Sequence, residues 1–200
     1  PLPEHDEWGL KPVAYLENHS NNIFFSSGDG RFFYIDIDDN KVQDKEKFNE
    51  IRTNIKDYIL DKKFYDPFIL SIKDIFIKNE NIFFTYGNIK DNCLVLKVAY
   101  SKLDYKYLEF KDYFSHKECN DSFESINYQH IGGRLFSYAG DGLLLSTGDM
   151  GHASLSDNDN SIFGKIINIK DNKNNFDILS KGHRNPQGLY YDTSRDIILN

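Results

Sequence analysis

The chain has 200 residues, is 40% hydrophobic and 15% aromatic, and carries a net charge of −7. That is enough apolar material to bury a core, and too acidic a balance for a surface built to hold nucleic acid or an anionic membrane. No apolar run approaches the ~20 residues needed to cross a bilayer and no signal-peptide pattern opens the sequence, so no membrane span is expected.

In chain order, the first element is an apolar run, a Gly-Asp-Gly turn and a second apolar run over residues 23–37 (IFFSSGDGRFFYIDI), which predicts a β-hairpin. Residues 44–63 follow, with Phe48, Ile51, Ile55 and Ile59 spaced by three and four on a charged background, the periodicity of a short helical insertion. A second hairpin is predicted over 75–86 (IFIKNENIFFTY), with Asn-Glu-Asn at its tip to supply left-handed backbone. Cys93 and Cys119 come next. They suit either one disulfide, whose loop closure would contribute roughly 3 kcal/mol, or two separate buried thiols. No Cys-x-x-Cys or Cys/His cluster is present, so no structural zinc is expected. Further hairpins are predicted over 135–146 (LFSYAGDGLLLS) and 189–199 (LYYDTSRDIIL). The four starts recur roughly every 50 to 60 residues, the scale of a four-stranded propeller blade. The expected fold is therefore all-β and repeated.

Four blocks concentrate the chemistry: HIGGRL at 130–135, STGD at 146–149, SIFGKIINI at 161–169 and GHRNPQGL at 182–189. His130 is suited to general-base work because imidazole titrates near neutrality. It precedes Gly132-Gly133, where missing side chains would let a flat ligand reach the backbone. Asp149 follows the paired strand of the same hairpin, so the two side chains could meet at one end of it as base and orienter. Arg184-Asn185 offers a planar cationic fork and an amide, the donors a polycarboxylate needs. Standing alone, each has a plainer reading: a loop histidine, a turn aspartate, an arginine tying strands together. Arg134 is read as an anchor to a neighbouring blade, and His183 and Gln187 as holding their loop. The acidic run at 157–161 lacks the Gly and distal Glu of a calcium-binding EF-hand and reads as a solvated turn.

In this order and at these intervals, the blocks resemble the PQQ-dependent (pyrroloquinoline quinone) soluble sugar dehydrogenases, which include glucose and aldose sugar dehydrogenases. The match is strong over about the last seventy residues and diffuse before them. It implies a partial β-propeller over 1–200, about three to four of roughly six blades, with the ring-closing blades missing. It implies oxidation of a sugar at its anomeric carbon, with His130 taking the hydroxyl proton, Asp149 orienting it, and Arg184 and Asn185 contacting PQQ. Gln129 would bind sugar where glucose-oxidising relatives carry an acidic residue, and Asp66 falls near a second sugar-binding position. Calcium ligands are expected beyond residue 200, with no metal ligand inside the chain, so these 200 residues alone should be inactive. The implied partners are a sugar and an external electron acceptor, in the periplasm or outside the cell. The alternative is a non-catalytic propeller that binds a protein or glycan. A lactonase-type hydrolase would need several converging carboxylates, and no such set is found.

Overall fold

A computed structural model describes residues 14–37, 48–58, 71–91, 93–121, 130–170 and 175–200. They form antiparallel sheets arranged like propeller blades. In the first, β1 (Ala14–His19), β2 (Asn22–Ser27), β3 (Phe32–Asp36) and β4 (Asn49–Thr53) lie in sequence order, and β8 (Tyr107–Leu108) joins β4 in parallel. The second has β5 (Ile72–Lys78), β6 (Asn81–Lys90), β7 (Cys93–Lys102) and β9 (Lys111–Ser115). The third has β10 (Gly132–Ser137), β11 (Leu143–Thr147), β12 (Lys165–Ile169) and β13 (Phe176–Lys181), and β14 (Tyr190–Asp192) pairs with β15 (Ile197–Leu199) in the fourth. The leading strands begin at residues 14, 72, 132 and 190. β5 packs against β1 and β10, and β10 against β14.

The packing follows from strand alternation, which sends successive side chains to opposite faces. On β5, Ile75 joins a core with Phe24, Phe32, Ile82 and Phe84, between the first and second blades. Its neighbour Phe76 joins Phe83, Leu96, Phe114, Leu135 and Leu145, between the second and third. On β11, Leu143 and Leu145 face the second blade while Leu144 meets Ile166 and Tyr191 toward the fourth. A strand covered on both faces reads as a continuous apolar run, which accounts for LLLS. The hairpin tips use left-handed backbone where the sequence offered it, at Gly30 (φ +89°), Asn79 (+47°), Glu80 (+56°) and Gly140 (+66°).

One expectation is corrected. The described part of the 44–63 segment is not helical: Asn49–Thr53 is strand β4, paired with β3 through Phe32↔Ile51, and Ile55–Asp57 is a single 3-10 turn. Ile51 points inward from the strand, Ile55 is buried by the turn, and Phe48 lies edge-on to Phe25, so three different environments mimic one helical stripe. The rest of that segment lies outside the described residues. The hairpin predicted over 23–37 is present, one strand later in its blade than the other three. It is the β2–β3 pair, and the leading strand β1 (AYLENH) is too polar to stand out.

Cys93 and Cys119 form a disulfide, with Cα atoms 5.5 Å apart. The adjacent residues Leu94 and Asn120 exchange two backbone hydrogen bonds of 2.9 and 2.8 Å.

Candidate active site

His130 sits just before β10 and Asp149 just after β11, so the antiparallel pairing that sets Gly132 opposite Thr147 brings them to one end of the sheet. His130 Nδ1 lies 3.0 Å from Asp149 Oδ1, with side chains 15% and 4% exposed. A carboxylate oxygen only accepts, so Nδ1–H donates, and the lone pair of the imidazole is left on Nε2. Asp149 Oδ1 also accepts the Gly151 N–H at 2.9 Å.

The loop between β13 and β14 is fastened onto this same hairpin at four consecutive residues. The Asp149 N–H donates to Arg184 O at 2.8 Å, the Gly132 N–H to Asn185 Oδ1 at 3.4 Å, Ser146 Oγ to Pro186 O at 3.4 Å, and Arg134 Nε to Gln187 O at 2.8 Å. Arg134 also pairs with Asp74 of β5 at 3.3 Å and lies over the ring of Tyr15 on β1, so it spans blades as its position suggested. The Asp74 carboxylate accepts the Leu135 N–H at 2.8 Å. Burial pushes Asp74 up to about 6, and burial together with the Asp74 charge pushes Glu17 up to about 7.

His130, Asp149 and Arg184 line one cleft of about 530 Å³, together with Gly151, Ala153, Ser156 and Gly182. The Arg184 side chain is exposed, and among the described residues none pairs with its guanidinium. Asn185 is placed beside the cleft. Its Oδ1 accepts from Gly132 and, at 2.8 Å, from Gln187 Nε2. Gln187 thus holds the loop, as does His183, whose ring contacts Ser180 Oγ at 2.9 Å and Asn200 Nδ2 at 2.8 Å. Gln129 and Asp66 lie outside the described residues. In the 157–161 run, Asp159 pairs with Lys181 at 2.8 Å and Asn158 closes a local turn. Among the described residues no group of three or more His, Cys, Asp or Glu side chains could hold a metal ion.

The glycine pair meets a packing need that its sequence does not reveal. A Cβ on Gly132 would lie 2.7 Å from the Gly148 nitrogen, and one on Gly133 2.5 Å from Lys73 Cβ. Both φ angles are positive, +69° and +108°. The missing side chains admit neighbouring strands.

A model of the family described as "Glucose / Sorbosone dehydrogenase" matches residues 13–200. The chain belongs to that family. Three solved structures show the same fold as this family member. One, titled a glucose dehydrogenase, has a TM-score of 0.69 at 15% identity, with 92% of this chain covered and 55% of the other. The soluble aldose sugar dehydrogenase of Escherichia coli in its apo form gives 0.66 at 15% identity, covering 94% and 55%. The PQQ-bound aldose sugar dehydrogenase of Streptomyces coelicolor gives 0.62 at 18% identity, covering 88% and 52%. The chain thus spans just over half the length of these structures. No curated protein matches its sequence.

Sequence reasoning missed residues that hold the cleft in shape. Lys165 is fully buried, and its ammonium donates to the carbonyls of Leu155, Ser156 and Phe163 at 3.0, 2.6 and 2.6 Å. Glu118 accepts from Ser161 Oγ at 2.8 Å and the Ile162 N–H at 2.6 Å. Asn120 grips the turn after Asp149. Only the lysine inside an apolar strand, GKIINI, stood out locally as a signal.

Proposed function

We propose that the protein to which this chain belongs is a quinoprotein sugar dehydrogenase that oxidises an aldose at its anomeric carbon, with PQQ as the bound oxidant. The observation that carries the reading is the His130–Asp149 pair opening on a cleft that also holds a guanidinium with no partner among the described residues.

The residues present suit the cofactor. PQQ is a flat anion with three carboxylates, and Arg184 offers a fork that binds carboxylate through two hydrogen bonds. Gly151, Ala153 and Gly182 leave the cleft walls low. Asn185, fixed beside Gly132 through its oxygen, still has an amide donor to offer. When bound, PQQ supplies the ortho-quinone that accepts a hydride. The protein's own task is the proton: His130 Nε2 takes it from the C1 hydroxyl, and the Asp149 carboxylate stabilises the imidazolium that results. Net loss of two electrons and two protons converts the aldose to its lactone, and an external acceptor removes the electrons. Gln129 and Asp66 are the proposed sugar contacts. Calcium has no ligand set among the described residues, and no step is assigned to it. The disulfide suits an oxidising compartment, so we place the protein in the periplasm or outside the cell.

The test is sugar-dependent dye reduction by the intact protein with PQQ and calcium. His130→Gln should abolish turnover while the absorbance of the bound quinone persists. Unchanged turnover would remove His130 from its role, and failure to bind PQQ would favour a non-catalytic binding propeller.

A further inference from the structure

The turn after Asp149 contains a peptide plane that is gripped from both sides. Its carbonyl, on Met150, accepts Asn120 Nδ2 at 3.0 Å. Its N–H, on Gly151, donates at 2.9 Å to Asp149 Oδ1, the same oxygen that receives His130 Nδ1. A trans peptide is planar and its C=O and N–H point in opposite directions, so the group that fixes one fixes the other. Asn120 therefore acts on the imidazole through one rigid plane and one carboxylate.

Asn120 is built for that task. It is fully buried, and the Met150 oxygen can only accept, so the amide nitrogen faces it. The amide oxygen then faces His152 Nε2 at 2.9 Å, which must carry its proton, and the His152 ring stacks on Phe163. The turn adopts positive φ at both central residues, Met150 at +48° and Gly151 at +87°. A side-chain-bearing residue holds that conformation where its surroundings over-determine it. The surroundings here are Asn120 and His130 O, which accepts the Met150 N–H at 2.9 Å. Asn120 is in turn fixed by the disulfide at its preceding residue and by its double backbone bond to Leu94.

We propose that Asn120 is a positioning residue for the Asp149–His130 pair, and that the Cys93–Cys119 disulfide in the second blade holds it in place for a site in the third. The proposal rests on the role given to His130. Its test, however, reads the imidazole tautomer by nitrogen NMR and needs no sugar, quinone or turnover. Absence of dehydrogenase activity would sink that role and leave the positioning intact.

In the intact protein the His130 resonances, assigned by their loss in His130→Gln, should report a single tautomer with the proton on Nδ1. Asn120→Asp keeps the shape and the acceptor toward His152 but loses the donor toward Met150, and should move the shifts toward a mixture of tautomers. Phe24→Leu, which hollows the first blade, should lower the melting temperature and leave the single tautomer unchanged. A dithiol reductant delivers two electrons and two protons to the Cys93–Cys119 sulfurs and becomes a cyclic disulfide. Folded protein treated this way should resemble Asn120→Asp. An unchanged tautomer in folded Asn120→Asp overturns the role of Asn120, and an unchanged tautomer after reduction overturns that of the disulfide. Should Asn120→Asp not fold, Asn120→Ala carries the same expectation and the same refutation.

Discussion

Replacing Lys165 by methionine should cost about 1 to 3 kcal/mol of stability, although it exchanges a buried charge for an apolar chain of similar length. The ammonium spends its three hydrogens on three backbone carbonyls, at 3.0, 2.6 and 2.6 Å, and is fully buried. Methionine strands the Phe163 oxygen, at about 1 to 3 kcal/mol for a buried group without a partner, whereas Leu155 O and Ser156 O keep the N–H groups of Asn158 at 3.1 Å and Gly182 at 2.9 Å and lose one bond each, at about 0.5 to 1.5 kcal/mol. Against that, the folded chain no longer carries a desolvated cation, a relief of several kcal/mol, which also explains why burial holds the Lys165 pKa below its ordinary value. Set against that relief, the lost bonds leave a net loss of about 1 to 3 kcal/mol. For a chain of this size each kcal/mol moves Tm by about 2 to 4 °C, so calorimetry on the intact protein at pH 7 should record a fall of roughly 5 °C. A Tm equal to or above that of the wild type would refute the reasoning, since it would mean that Phe163 O finds another donor.

Gly133→Ala should destabilise by about 2 to 4 kcal/mol in a thermal melt, because its Cβ meets Lys73 Cβ at 2.5 Å and its φ is +108°. Glu17→Gln should leave Tm unchanged at pH 4.5 and raise it at pH 8. Glu17 and Asp74 both have folded-state values above their ordinary ones, about 7 and about 6, so the stability they confer while protonated is lost as pH rises through that window. Within the proposed mechanism, Asp149→Asn should lower kcat of the intact protein by about 10²- to 10⁴-fold, with a smaller effect on KM, because an amide oxygen can still accept from His130 Nδ1 but lacks the charge that stabilises the imidazolium. Comparable kcat values would show that the carboxylate charge has no such part.

Much of the fold was legible because blade hairpins declare themselves locally. Asn-Glu-Asn at 79–81 and Gly-Asp-Gly at 28–30 are turn chemistry, and apolar runs such as LLLS betray strands covered on both faces. Strand β1 hid because its side chains alternate between exposed and half-buried, with Leu16 67% exposed, so apolar content gave no contrast. Strand β4 hid behind a helical spacing that only its pairing with β3 overrides. At the site, the order of HIGGRL, STGD and GHRNPQGL pointed to His130, Asp149 and Arg184, and the cleft brings these three together. Asn120 and Glu118 carry no comparable sign. Their partners, the Met150 carbonyl, the Ser161 hydroxyl and the Ile162 N–H, lie 30, 43 and 44 residues away, and an amide or carboxylate with such distant partners looks like any other polar residue until the chain is folded.

The loop bearing Arg184 is pinned by three carbonyls and one side-chain amide, and the guanidinium takes no part in any of these attachments. Its mounting and its guanidinium are therefore separable. Exchange of position 184 for lysine, glutamine or serine should not unseat the segment that presents it, which on the proposed reading makes it the place to retune what the cleft accepts.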